Sequence, residues 1–257
     1  MNSPLHGVLV SVRNLDEACR AQAAGVDLID LKEPADGALG GLPCALIREV
    51  VTGLRGRGHH GPLSATIGDV PMTKLDTILA RVQAVAATGV DIVKVGITSG
   101  PEAAAVIDAL APLPCAIIPV FLADDGLDPL LLDRAHRARF PALMLDTARK
   151  DRGSLFDVLA QAELRDFVSA CHRHGQGAGL AGALRFRHLA DLAALSPDYV
   201  GFRSAVCIGD RAQGLQTDLA RALMAQAATW GLSRKRRPHA IDVPMGVPVS
   251  QLRSVST

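Results

Sequence analysis

"DTILARVQAVAATGVDIVKVGI", residues 76–97, holds one full unit of the pattern that runs through the chain. Ile78, Leu79, Val82, Val85 and Ala86 recur at three- and four-residue spacing, which predicts a helix with one dry face. Gly89 closes that helix, and a β-branched run with Ile92, Val93 and Val95 follows at once. Lys94 stands inside the run. The same closing tripeptide, "GVD", occurs at 25–27 and at 89–91. Strand-like runs recur at "GVLVSV" (7–12), "DLIDLK" (27–32), "LSATIG" (63–68), "CAIIPVFLA" (115–123), "ALMLDT" (142–147), "GAGLAG" (177–182) and "YVGFRS" (199–204). Between them lie helix-like stretches such as "LDEACRAQAA", "FDVLAQAELRDFVSACH" and "HLADLAAL". Asn14, Asp128 with Pro129, and Ser154 stand where helices should begin.

Eight strands alternating with eight helices over about 225 residues predict an α/β fold with a parallel sheet, closed as a single (β/α)8 TIM barrel. An open doubly wound sheet is the alternative, but no G-x-G-x-x-G follows the first strand. The barrel is expected over residues 1–230. Residues 231–257, with "RKRR" and three prolines but no periodicity, read as a basic C-terminal tail. That charge run is a solvated one that could also touch an acidic partner.

The bulk numbers narrow the function. A net charge of +1 gives no global pull towards nucleic acid or an anionic membrane. No basic-then-apolar leader is evident, and no apolar run nears the roughly 18 residues of a membrane span. Five widely spaced cysteines show no metal spacing, which fits reduced thiols in a cytoplasmic protein. The eight histidines form no ligand pattern, so no metal is expected, and no G-x-S-x-G marks a Ser/His/Asp site; no cofactor is expected either. A homo-oligomer acting on a small molecule is expected.

Strand parity points to the site. Alternate side chains of a barrel strand face helices and interior in turn. Ile29 and Leu31 oppose Asp30 and Lys32; Val93 and Val95 oppose Ile92, Lys94 and Gly96; Leu143 and Leu145 oppose Met144 and Asp146. Val200 and Phe202 oppose Gly201 and Arg203, and Ala65 and Ile67 oppose Ser64, Thr66 and Gly68. The polar parity gathers at the strand ends, where barrel enzymes keep their chemistry. Lys32, Lys94 and Asp146 should share one basin, with Lys150 reaching over its rim. The chain has only five lysines against 22 arginines, so three at one site is informative. A desolvated lysine beside a second cation can lose its proton and attack a carbonyl, and either Lys32 or Lys94 suits that role. Asp146 would exchange protons with its neighbours. The loops "LAGAL" (180–184) and "GFRSAVC" (201–207) follow strands seven and eight, a common phosphate site. The expected phosphate-binding set is Ala181, Gly182, Ala183, Gly201, Arg203, Ser204 and Thr66. Gly182 and Gly201 could instead relieve crowding in the barrel.

"IDLKEPADGALG" (29–40), "SATIGD" (64–69), "DIVKVG" (91–96), "LDTARKDRGSLFD" (145–157), "GLAGAL" (179–184) and "YVGFRSAVC" (199–207) together resemble the (5-formylfuran-3-yl)methyl phosphate synthase family. The resemblance runs from about residue 8 to about residue 225. It implies a TIM-barrel lyase of methanofuran biosynthesis, known in methanogenic archaea and in methylotrophic bacteria. That enzyme joins two glyceraldehyde 3-phosphate molecules with loss of one phosphate and two waters, without a metal. The family's Schiff-base lysine matches Lys32 and the aspartate before it Asp30. Its other catalytic lysines match Lys94 and Lys150, and its second aspartate Asp146. Arg13, in "SVRN", departs from the family pattern and reads as a phosphate contact or a rim salt bridge. Two other readings stand beside this one: another Schiff-base aldolase acting on a sugar phosphate, and a non-catalytic barrel that binds a phosphorylated metabolite.

Overall fold

A computed structural model of the chain describes residues 5–149, 152–209 and 214–233. Eight parallel strands pair in sequence order and the last returns to the first, closing a barrel. They are β1 (Gly7–Val12), β2 (Leu28–Leu31), β3 (Leu63–Thr66), β4 (Ile92–Ile97), β5 (Ile117–Leu122), β6 (Ala142–Asp146), β7 (Gly177–Leu180) and β8 (Tyr199–Phe202). The helices outside are α1 (Leu15–Ala24), α2 (Cys44–Arg55), α3 (Leu75–Ala86), α4 (Ala103–Leu110), α5 (Pro129–Arg137), α6 (Leu155–Val158), α7 (Gln161–Arg173), α8 (Leu189–Leu195) and α9 (Thr217–Thr229). The closed barrel settles the choice against an open sheet.

Local chemistry explains the boundaries. Asn14 caps α1 by accepting from the Glu17 amide at 2.9 Å, and Gly25 ends that helix with φ +77. Asp128 caps α5, whose first residue is Pro129. The stretch read as one helix over 156–172 is two. Leu159 turns extended (φ −122, ψ 140), and α7 starts afresh where the Glu163 carboxylate accepts from the Ala160 amide. The Leu155 amide donates to the Gly182 carbonyl, so α6 is docked on the loop after β7.

The pleat divides the core in two. Val8, Val10, Ile29, Leu31, Val93, Val95, Leu143, Leu145, Val200 and Phe202 pack outward under the helices. Leu9, Leu28, Ile92, Ile118, Val120, Met144 and Tyr199 fill the barrel itself, a packed core rather than a pore. Gly179 is required there, because a Cβ on it would lie 2.2 Å from the Tyr199 ring. Above this apolar plug, towards the carboxyl ends of the strands, the interior turns polar. All five cysteines are free, two of them buried. Among the described residues no helix is long and apolar enough to cross a membrane. Helix α9 ends at Trp230, and of the tail from 231 only the first three residues are described.

Candidate active site

The base of the site is built from β1 to β4. Asp30 is wholly buried and Lys94 is 2% exposed, and the Lys94 ammonium lies 2.7 Å from Asp30 Oδ1. Two hydroxyls complete the carboxylate's shell. Ser64 donates to Oδ1 at 2.7 Å and Ser11 to Oδ2 at 3.0 Å. Burial pushes the Lys94 pKa below the ordinary lysine value, and the charge of Lys32 adds to that push. The Asp30 carboxylate works in the opposite direction.

One residue past the end of β2, Lys32 turns into the mouth of the barrel. Its Nζ stands 3.6 Å from Asp146 Oδ2 and donates to the Ala38 carbonyl at 3.2 Å. Asp146, last residue of β6, is held from its other side by the Thr147 amide at 2.7 Å. The loop supplying Ala38 folds back over the mouth. Leu39 enters the interior cluster above Gly96, where a Cβ would meet its Cδ1 at 2.7 Å. Thr66, expected at the substrate, instead donates to the Gly40 carbonyl at 3.0 Å and fixes this loop. Lys150 lies outside the described residues. The chain leading to it is tied down, since Asp124 accepts from the Ala148 and Arg149 amides at 2.5 and 2.8 Å.

Across the mouth, a cleft is lined by Lys32, Lys94, Asp146, Ala181, Gly182 and Ala183, with Gly201, Arg203 and Ser204 on its far wall. The backbone here departs from ordinary geometry. Gly182 has φ +112 and Ala183 has φ +46, a left-handed conformation that costs an alanine about 1–2 kcal/mol. The amides of Gly182, Ala183 and Ser204 donate to no described residue, and a consecutive pair such as 182 and 183 suits an anion. Gly201 has a packing reason as well: its Cβ would stand 3.0 Å from that of Ala181.

Arg203 brings less free charge to the cleft than the sequence suggested. Its guanidinium meets Glu17 of α1 at 2.5 and 3.1 Å and donates to the Ser11 carbonyl, with both side chains buried. This pair seals the seam where β8 closes on β1. Arg13 forms the rim salt bridge, its Nε 3.0 Å from Glu33. Lys32 and Lys94 are likewise balanced by Asp146 and Asp30. The arrangement offers one amine in the cleft beside a carboxylate, a second more deeply buried amine, and a strained pair of amides lining the same cleft that donate to no described residue. That combination can form an imine, move protons and receive a phosphate. Ser11, Glu17, Leu39 and Asp124 carry the site without having been singled out from the sequence. Ser11 alone had a signal, as the polar residue on the inward parity of β1.

Comparison with known proteins places the chain. The family model described as "4-HFC-P synthase" matches residues 8–224. A Methylorubrum extorquens protein provisionally named (5-formylfuran-3-yl)methyl phosphate synthase is 40% identical over 222 residues, covering 86% of this chain and 90% of that one. The (5-formylfuran-3-yl)methyl phosphate synthase of Methanosarcina acetivorans is 33% identical over 233 residues, covering 85% and 98%. Among solved structures, phosphoribosyl anthranilate isomerase from Thermus thermophilus superposes with a TM-score of 0.58 at 18% identity, covering 87% and 98%, a likeness of fold alone.

Proposed function

The chain belongs to the 4-HFC-P synthase family, and from that premise we propose that it condenses two molecules of glyceraldehyde 3-phosphate into (5-formylfuran-3-yl)methyl phosphate through a lysine Schiff base, a step of methanofuran biosynthesis. The observation that carries the reading is the placement of Lys32. Its amine stands beside the Asp146 carboxylate in a cleft also lined by Gly182 and Ala183, whose amides donate to no described residue.

The product's skeleton dictates the order of bonds. Its phosphomethyl group sits on a carbon that was a ketone, so one triose first isomerises to dihydroxyacetone phosphate. Lys32 Nζ adds to that ketone and one water leaves, giving an iminium carbon. The second triose loses the proton at C2 and expels its phosphate from C3, leaving an enol. The enol carbon attacks the iminium carbon, and the lysine amine then departs to leave a carbon–carbon double bond. A hydroxyl closes the ring on the remaining ketone, and loss of the second water makes it aromatic. One orthophosphate and two waters have then left the two trioses, and the atoms balance.

Asp146, 3.6 Å from Lys32 Nζ, serves as acid and base for the steps around the imine, together with Lys150. Lys94 is paired with Asp30 at 2.7 Å and nearly closed to solvent, a poor position for a nucleophile but a suitable one for a buried proton donor and counter-charge. The amides of Gly182, Ala183 and Ser204 receive the retained phosphate, while Arg203 and Glu17 hold that wall in place.

Incubation with glyceraldehyde 3-phosphate as sole substrate tests the proposal. It requires an ultraviolet-absorbing furan aldehyde and one orthophosphate released per product. A hexose bisphosphate formed without phosphate release would make the protein an ordinary Schiff-base aldolase. No turnover at all would favour a binding barrel.

A further inference from the structure

Asp30 does not line the cleft, yet three strands converge on its carboxylate. Ser11 reaches it from β1, Ser64 from β3 and Lys94 from β4, at 3.0, 2.7 and 2.7 Å. The barrel register makes this possible, because Ser11 stands opposite Asp30 on β2 and Asp30 stands opposite Ser64. Both serines are buried, Ser64 beneath the cleft and Ser11 at its edge, and alanine would fill nearly the same space at either position. What alanine could not supply is the hydroxyl, and each hydroxyl is spent on Asp30.

We infer that Ser11 and Ser64 are positioning residues that hold Lys94 in its ammonium form by fixing the charged state of its partner Asp30. The inference rests on the synthase reading only for its catalytic consequence. In a buried pair the proton can sit on nitrogen or on oxygen, and the neutral arrangement escapes the cost of desolvation. Hydrogen bonds donated to a carboxylate stabilise its charged form and oppose that transfer. Burial already works against the Lys94 ammonium, and Lys32 just beyond β2 repels it, while Asp146 from β6 favours it more weakly than Asp30 does. Tyr199 of β8 is fully buried, and burial holds its phenol in the neutral form, so it adds no charge. The two serines are therefore the groups that tip the pair towards Lys94 carrying the proton at neutral pH.

With only five lysines in the chain, the claim can be read directly by NMR of protein labelled at the lysine ε-carbon. The Lys94 signal is identified by its loss in Lys94→Arg. In Ser64→Ala and in Ser11→Ala it should titrate about one pH unit or more below the wild type, as expected for loss of one hydrogen bond to a charged group. Ser64→Thr keeps the hydroxyl and should restore the wild-type titration, which separates the effect from a packing fault. The alkaline limb of kcat for furan formation should move down in parallel, with little change in KM. An unmoved Lys94 titration in both alanine variants, or a kcat that falls equally at every pH, overturns the inference. If the titration moves but the wild type makes no furan, the positioning network stands and the synthase reading fails.

Discussion

Replacing Lys94 with methionine leaves the Asp30 carboxylate at a fully buried position with its cation gone. Breaking a buried ion pair from one side costs about 3–5 kcal/mol, because the surviving charge keeps its desolvation penalty. Asp30 retains the Ser11 and Ser64 hydroxyls, so the loss should fall at the lower end, near 3 kcal/mol. For a chain of this size that corresponds to a melting point lowered by roughly 6–12 °C. Removing the stranded charge as well, in Lys94→Met with Asp30→Asn, should recover most of the loss. Urea denaturation of the wild type, the two single variants and the double variant gives the coupling energy directly. The structure requires about 2 kcal/mol or more. A coupling below about 0.5 kcal/mol, the level of independent sites, would refute the placement of Lys94 against Asp30.

Glu17→Gln strands the buried Arg203 guanidinium at the β8–β1 seam and should cost about 3–5 kcal/mol in denaturant unfolding, although Glu17 touches no substrate. Gly182→Ala puts a Cβ 2.9 Å from Thr147 Cγ2 at φ +112. It should raise KM for the triose phosphate about tenfold by displacing the amides that receive the phosphate, as steady-state kinetics can check. Burial holds His136 below its ordinary 6.5, and the neighbouring His174, stacked at 4.5 Å, adds to this while its bond to Gln176 acts against it. The unfolded chain therefore binds that proton first as pH falls through 6.5, so stability should drop there. His136→Gln should flatten the slope of unfolding free energy against pH below 6.5.

The fold was legible because its signals are local. Period-two alternation assigned the inward faces of β2, β4 and β6, and Asn14, Gly25 and Asp128 marked their helix ends at the residues where the structure has them. Strand ends were read too long. Lys32 and Arg203 each lie one residue beyond the ladder. The contacts hidden from the sequence are those made by closure. Glu17 and Arg203 are 186 residues apart and meet only because β8 returns to β1. Thr66 looked like a substrate ligand by parity, but the loop folding back from β2 brings the Gly40 carbonyl to its hydroxyl. Nothing in the spacing of "EPADGALGG" announced that Leu39 would plug the barrel. The break at Leu159 was equally concealed, since an apolar residue there continues the helical pattern while its backbone does not.

The central claim is that Lys32 carries the covalent intermediate while Lys94 stays in its ion pair. Borohydride reduction during turnover with glyceraldehyde 3-phosphate or dihydroxyacetone phosphate, followed by peptide mapping, measures this. The account requires a reduced triose adduct on Lys32 that is lost in Lys32→Ala. An adduct on Lys94, or none while furan is being formed, would contradict it.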